Sequence, residues 1–170
     1  MHLFQSLELG RATAWRKLIV LLAAGFGLGL SPVASGTAGA LLGLPLMLWL
    51  KPFWTGYGVS ELPTQISVTL GLTLLAIPLC AVAEKHFGRK DDSRVVADEF
   101  LTFPIGLLGL PLGPGVLALA FFTNRVFDVL KPFPAYRAQR LPGGLGIVLD
   151  DVVAACYSLL VNHALYYLIR

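Results

Sequence analysis

A chain of 170 residues that is 56% hydrophobic and only 14% charged is too apolar for an ordinary soluble domain, where about a quarter of residues carry charge. Its mean hydropathy of +0.74 points to a bilayer as solvent, and its length suits one domain over residues 1–170. A net charge of +3 is no nucleic-acid footprint. Cys80 and Cys156 lie in apolar runs without metal-ligand spacing and read as buried bystander thiols.

Residues 1–17 place Glu8, Arg11, Arg16 and Lys17 among Leu3, Phe4, Leu7, Leu9 and Trp15, an interfacial amphipathic helix or a basic flank. No charge follows from residue 18 to residue 50, a run longer than the roughly 20 residues that span a bilayer. Its glycines and Ser31-Pro32 predict a broken helix, with segments near 16–30 and 38–50 and a loop at 31–37. Val33-Ala34-Ser35 resembles a leader cleavage site, but the apolar run continues past it.

A connector at 51–63 precedes an uncharged span at 62–83. Next comes EKHFGRKDDSR, residues 84–94, the most charged segment. Residues 100–124 are uncharged but punctuated by Pro104, Gly106, Gly109, Pro111, Gly113, Pro114 and Gly115. They read as two short helices meeting at LGLPLGPG or as one distorted span. Residues 125–145 are basic and loop-like towards their end, and 146–169 form a last apolar helix. Period-two alternation is absent. The expected fold class is all-α, a multihelical integral membrane protein of about four to six helices, including broken or re-entrant segments. Residues 11–17, 85–94 and 125–140 hold three, four and four of the thirteen Lys and Arg. All three are expected on the cytoplasmic side, which favours a hairpin for 95–124.

Five carboxylates border the apolar helices: Asp98, Glu99, Asp128, Asp150 and Asp151. A charge placed near hydrocarbon costs about 2.5–3.5 kcal/mol, so such groups point inward and serve function. Arg125, Asp128 and Lys131 are three apart and share a helical face. Together these groups suit a divalent cation and a phosphate, since magnesium combines one or two carboxylates with substrate phosphate. Without His–Cys clusters zinc is disfavoured. Plain ion pairing at a helix end is the alternative. His86 reads as a surface residue and His163 as a polar contact within the bundle. SPVASGTAG, residues 31–39, could present amides to an anion or simply allow two helices to approach.

These segments resemble the bacterial phosphatidylglycerophosphatase A family over nearly the whole chain. GLGLSPVASGTAGAL resembles its N-terminal Gly-Thr motif, HFGRKDDSRVVADEF its central segment, and NRVFDVLKPFP with GGLGIVLDDVVAA its two C-terminal signatures. Ser35 stands where many members have proline, Phe100–Phe103 lacks the glycine that commonly follows Asp-Glu, and Asp91-Asp92 replaces an Asp-Pro.

The resemblance implies a magnesium-dependent phosphatase of the bacterial inner membrane, multi-pass, with its active site facing the cytoplasm. It would act on phosphatidylglycerol phosphate among the membrane lipids, with no nucleic-acid partner, releasing the terminal phosphate to give phosphatidylglycerol. Carried over by position, Asp98, Glu99, Asp128, Asp150 and Asp151 are the expected metal ligands. Asp128, Lys131, Asp151 and Arg125 are the expected catalytic residues. Gly36, Thr37, Arg125 and Lys131 are expected to bind the substrate phosphate. Alternatives are a phosphatase for another lipid or isoprenoid phosphate, and a small ion-coupled transporter. The sequence leaves open the oligomeric state, and whether a metal-activated water or an aspartyl-phosphate carries the reaction.

Overall fold

A computed structural model describes residues 14–55 and 61–169. The amphipathic start up to residue 13, and the part of the connector holding Gly56 and Gly58, lie outside the described residues. Among the described residues there are eight α-helices and no strand. They are α1 (Ala14–Ala23), α2 (Ser35–Leu41), α3 (Gly43–Thr55), α4 (Glu61–Phe87), α5 (Ala97–Thr102), α6 (Pro114–Leu130), α7 (Ala135–Ala138) and α8 (Gly144–Ile169). Two 3₁₀ helices, Gly25–Leu30 and Phe103–Leu107, join α1 to α2 and extend α5. The all-helical class is as expected, with the broken segments resolved into shorter pieces. Helix resumes at Ser35, inside the expected 31–37 loop.

Two helices, α4 and α8, are long and apolar enough to cross a membrane by length and composition. At 27 residues, α4 extends about 40 Å. Only 28% of its most apolar stretch is buried, whereas a soluble core helix would be covered nearly throughout. Leu62, Ile66, Leu70 and Leu74 are all exposed, four apart along one face. Such a stripe is stable in lipid and costly in water. Cys156 departs from expectation for the same reason. It is exposed on α8, while Cys80 is buried, because lipid accepts a small apolar thiol as readily as a core does.

The charged segments meet at one end of the bundle. Lys131 binds Asp150 at 2.7 Å and approaches Asp91 at 4.0 Å; Lys90 Nζ donates to the Arg140 carbonyl at 3.2 Å. At the opposite end the close of α3 and the start of α4 meet the break after Phe103–Leu107. Gln65 Nε2 donates to the Trp54 carbonyl at 3.2 Å, and Gln65 Oε1 accepts from the Gly109 amide at 2.8 Å. The stretch from α5 to α6 is therefore a hairpin, out through Ala97–Leu107 and back along Pro114–Leu130.

The outward limb of this hairpin is the shorter one, and its last carbonyls lie outside regular α-helix. Asn162 Nδ2 donates to the Gly106 carbonyl at 2.8 Å, and the His163 ring pairs with the Leu108 carbonyl at 2.8 Å. Thr123 Oγ1 joins the network, at 2.6 Å from Ser158 Oγ and donating to Asn162 Oδ1 at 2.8 Å. Irregular backbone at membrane depth persists only where protein satisfies its polar groups. His163 therefore makes the bundle contact expected of it.

Candidate active site

The polar end of the bundle encloses a cleft of about 290 Å³ lined by seven carboxylates and one ammonium: Asp91, Asp92, Asp98, Glu99, Asp128, Asp150 and Asp151 with Lys131. The carboxylates come from separate elements. Asp98 and Glu99 sit in the first turn of α5, Asp128 in the last turn of α6, and Asp150 and Asp151 near the start of α8. Asp91 and Asp92 belong to the loop after α4.

Local sequence accounts for these placements. The Val96 amide donates to the Ala23 carbonyl at 2.8 Å, which ties the start of α5 to the end of α1. Thr102 Oγ1 donates to the Asp98 carbonyl at 2.7 Å. Lys131 closes α6 in the left-handed conformation, with φ of 45°, and its amide bonds the Phe127 carbonyl. Pro132 then prevents the helix from continuing. That left-handed turn aims Lys131 across the gap at Asp150.

Four carboxylates have matched cations. Arg125 Nη1 lies 3.0 Å from Glu99 Oε2 and 2.8 Å from Asp128 Oδ2. Lys131 pairs with Asp150 at 2.7 Å, and Arg94 with Asp92 at 2.7 Å. The Arg94 hydrogen bonds hold the Asp92 carboxyl below the usual carboxylate range, against the opposing effect of burial. Gln139 Nε2 donates to Asp91.

Asp98 and Asp151 are different. They face each other, are 6% and 3% exposed, and have no cationic partner among the described residues. Asp98 Oδ1 and Asp151 Oδ1 are each buried without a hydrogen-bond partner. A buried unpaired carboxylate is costly enough to require a counter-ion or a proton. Among the described residues no three His, Cys, Asp or Glu side chains are gathered closely enough to form a ready-made cage. A hard cation that shares its coordination with water and a ligand phosphate needs no such cage, so two unpaired acidic oxygens at a cleft fit magnesium.

The five carboxylates expected from sequence, Asp98, Glu99, Asp128, Asp150 and Asp151, thus come together with Lys131 and Gly36 at one cleft. Arg125 stands behind it, bridging Glu99 and Asp128. A Cβ on Gly36 would meet Glu99 Oε1, so any larger residue there displaces that carboxylate from its present place against α2. Thr37 is not among the lining residues; its neighbour Ser35 is. Asp91, Asp92 and Ser93 line the cleft without having been expected there. The Asp91-Asp92 pair was visible in sequence, but nothing local indicates that a charged loop folds over a site.

The fold and site define a membrane-embedded, all-helical protein whose acidic cleft gathers seven carboxylates beside the Lys131 ammonium, with the Arg125 guanidinium behind them. Such a donor set suits hydrolysis of a phosphomonoester. Residues 21–166 match the family described as Phosphatidylglycerophosphatase A. The Escherichia coli phosphatidylglycerophosphatase A is 38% identical over 143 residues, covering 81% of this chain and 77% of its own length. The Haemophilus influenzae protein of the same name is 38% identical over 151 residues, 88% of this chain and 89% of its own. A Bacteroides thetaiotaomicron relative, named as a candidate phosphatidylinositol-3-phosphatase, is 35% identical over 144 residues, 83% of this chain and 89% of its own. No solved structure matches. The chain belongs to the phosphatidylglycerophosphatase A family and is an enzyme of that class, a phosphoric monoester hydrolase.

Proposed function

We propose that the protein hydrolyses the terminal phosphomonoester of phosphatidylglycerol phosphate, releasing phosphatidylglycerol and phosphate, and that Asp98 and Asp151 are residues that would hold magnesium for the reaction. The facing pair of buried carboxylates with orphaned oxygens is the observation that carries this reading. Bound magnesium supplies Lewis-acid polarisation of a phosphoryl oxygen and a more acidic water. Lys131 Nζ and the Arg125 guanidinium are placed to offset negative charge growing on the phosphoryl oxygens. Both are pre-positioned by carboxylates, so neither side chain has to be ordered during the reaction. The Gly36 amide region approaches the same cleft, and Asp128 orients Arg125.

The cleft sits at the end of the bundle where basic residues cluster, which supports a cytoplasmic-facing site in the inner membrane of a bacterium. Carboxylates at that end, rather than midway along the traverses, weigh against ion-coupled transport. The Bacteroides relative supports a second reading, a phosphoinositide-like monoester as substrate.

Phosphate release from phosphatidylglycerol phosphate by the detergent-purified protein tests this directly. Release is expected with magnesium and is expected to vanish with excess chelator. Asp151→Asn is expected to lower turnover by at least about a hundredfold, about 2.7 kcal/mol, with the protein still folded. Chelator-insensitive release would overturn the metal assignment. Release only from a phosphoinositide monoester would overturn the substrate.

A further inference from the structure

Beside the acidic cleft lies a second pocket of opposite character. It is lined by Arg89, Lys90, Asp91, Tyr136, Gln139 and Arg140 and has a volume of about 390 Å³. The two share Asp91. Asp91 is held between them by Gln139 on one side and by Lys131, at 4.0 Å, on the other. The Lys90 Nζ donates to the Arg140 carbonyl, and the Arg140 guanidinium lies 5.1 Å from the Tyr136 ring centre. None of Arg89, Lys90 and Arg140 forms an ion pair with a carboxylate among the described residues, whereas Arg94, Arg125 and Lys131 each do. Three unpaired cations therefore surround one already engaged carboxylate.

We propose that this pocket is a subsite for the phosphodiester of the lipid substrate, with Arg89, Lys90 and Arg140 as the residues that distinguish a lipid carrying two phosphates from a simple phosphomonoester. This rests on the functional reading above. In phosphatidylglycerol phosphate a single glycerol joins the reacting monoester to the diester. A monoester in the acidic cleft therefore leaves the diester beside the Asp91 rim, next to the cations. Arginine and lysine offer charge-assisted hydrogen bonds to phosphate oxygens. They are needed here because an anionic substrate approaches a cleft lined by seven carboxylates.

The test uses the purified full-length protein in neutral detergent micelles, comparing the unaltered chain with a triple variant, Arg89→Gln, Lys90→Gln and Arg140→Gln. All three side chains are exposed, so their replacement leaves the buried core untouched. The KM for phosphatidylglycerol phosphate is expected to rise at least about tenfold, the scale of a lost charged hydrogen bond, with kcat changing far less. Inhibition by phosphatidylglycerol, which has only the diester, is expected to weaken in parallel. Inhibition by inorganic phosphate, which fits the acidic cleft alone, is expected to stay the same. Equal weakening by both inhibitors would overturn the subsite and make the cations a general field over the cleft. An unchanged KM would overturn it outright. Loss of the KM effect when anionic lipid is added to both proteins would assign the cations to the membrane surface and overturn it as well. An unaltered chain that releases no phosphate would instead overturn the functional reading on which the subsite rests.

Discussion

At the scale of single residues, the site depends on where a side chain is missing as much as on where one is charged. Gly36 allows α2 to touch Glu99, which in turn orients Arg125. Gly36→Ala is therefore expected to push Glu99 aside and lower kcat/KM about tenfold, some 1.4 kcal/mol. A stability loss of about 1–3 kcal/mol from overpacking is expected with it. Gly71→Ala is the matched control, because nothing lies within 4 Å of a Cβ there; turnover by that variant should be unchanged. Kinetics and thermal unfolding of the two variants together separate crowding at the site from a general effect of alanine. Asp92 supports a pH prediction. Arg94 lowers its pKa in the folded chain, below the unfolded value of about 3.9. The pair thus stabilises the loop fully at neutral pH, and the contribution is lost as pH falls through the lowered pKa. Protection of the amides of residues 88–96, taken relative to their intrinsic exchange rates, is expected to fall below about pH 4. Arg94→Gln is expected to show a comparable loss of protection already at neutral pH.

At the scale of elements, the hairpin between α5 and α6 is held by side chains of its neighbours. Asn162 alone donates to Gly106 and accepts from Thr123. Asn162→Leu is expected to destabilise the protein by about 1–2 kcal/mol, the usual range for a hydrogen bond between membrane helices, as measured by thermal unfolding in detergent. Turnover should fall less than stability, because the contact lies along α8 well away from Asp151. The prolines and glycines of residues 100–124 left two short helices or one distorted span open, and the basic segments on either side favoured the hairpin. What holds it was not legible, because Asn162 and Gln65 are far from it in sequence and look like isolated polar residues in apolar runs. The same limit applies to the site. Asp98, Glu99, Asp128, Asp150 and Asp151 stood out because charge is expensive in an apolar chain. Asp91 and Asp92 did not, because a charge among charges looks solvated. Thr37 was expected through the family resemblance; that Ser35 lines the cleft instead depends on helical phase, which a seven-residue helix after a loop does not reveal.

At the scale of the whole molecule, apolar sequence does not say which face of a helix is inside. Core and lipid both accept leucine, which is why Cys156 turned outward against expectation. The structure makes the distinction, and Leu74 tests it. It is exposed at the middle of α4. Leu74→Arg is expected to cost about 2.5–3.5 kcal/mol on membrane insertion and so to reduce sharply the amount recovered in the membrane fraction. Recovery equal to that of the unaltered chain would show that this face does not meet lipid.

The carboxylates of the cleft are contributed in chain order by the loop after α4, then α5, α6 and finally α8. During synthesis a chain that has emerged only through α6 carries Asp98, Glu99 and Asp128 but lacks Asp151, which faces Asp98, and Asp150, which anchors Lys131. On the proposed reading, the cleft is therefore complete only once α8 has been made. A chain cut short before residue 150 is expected to release no phosphate.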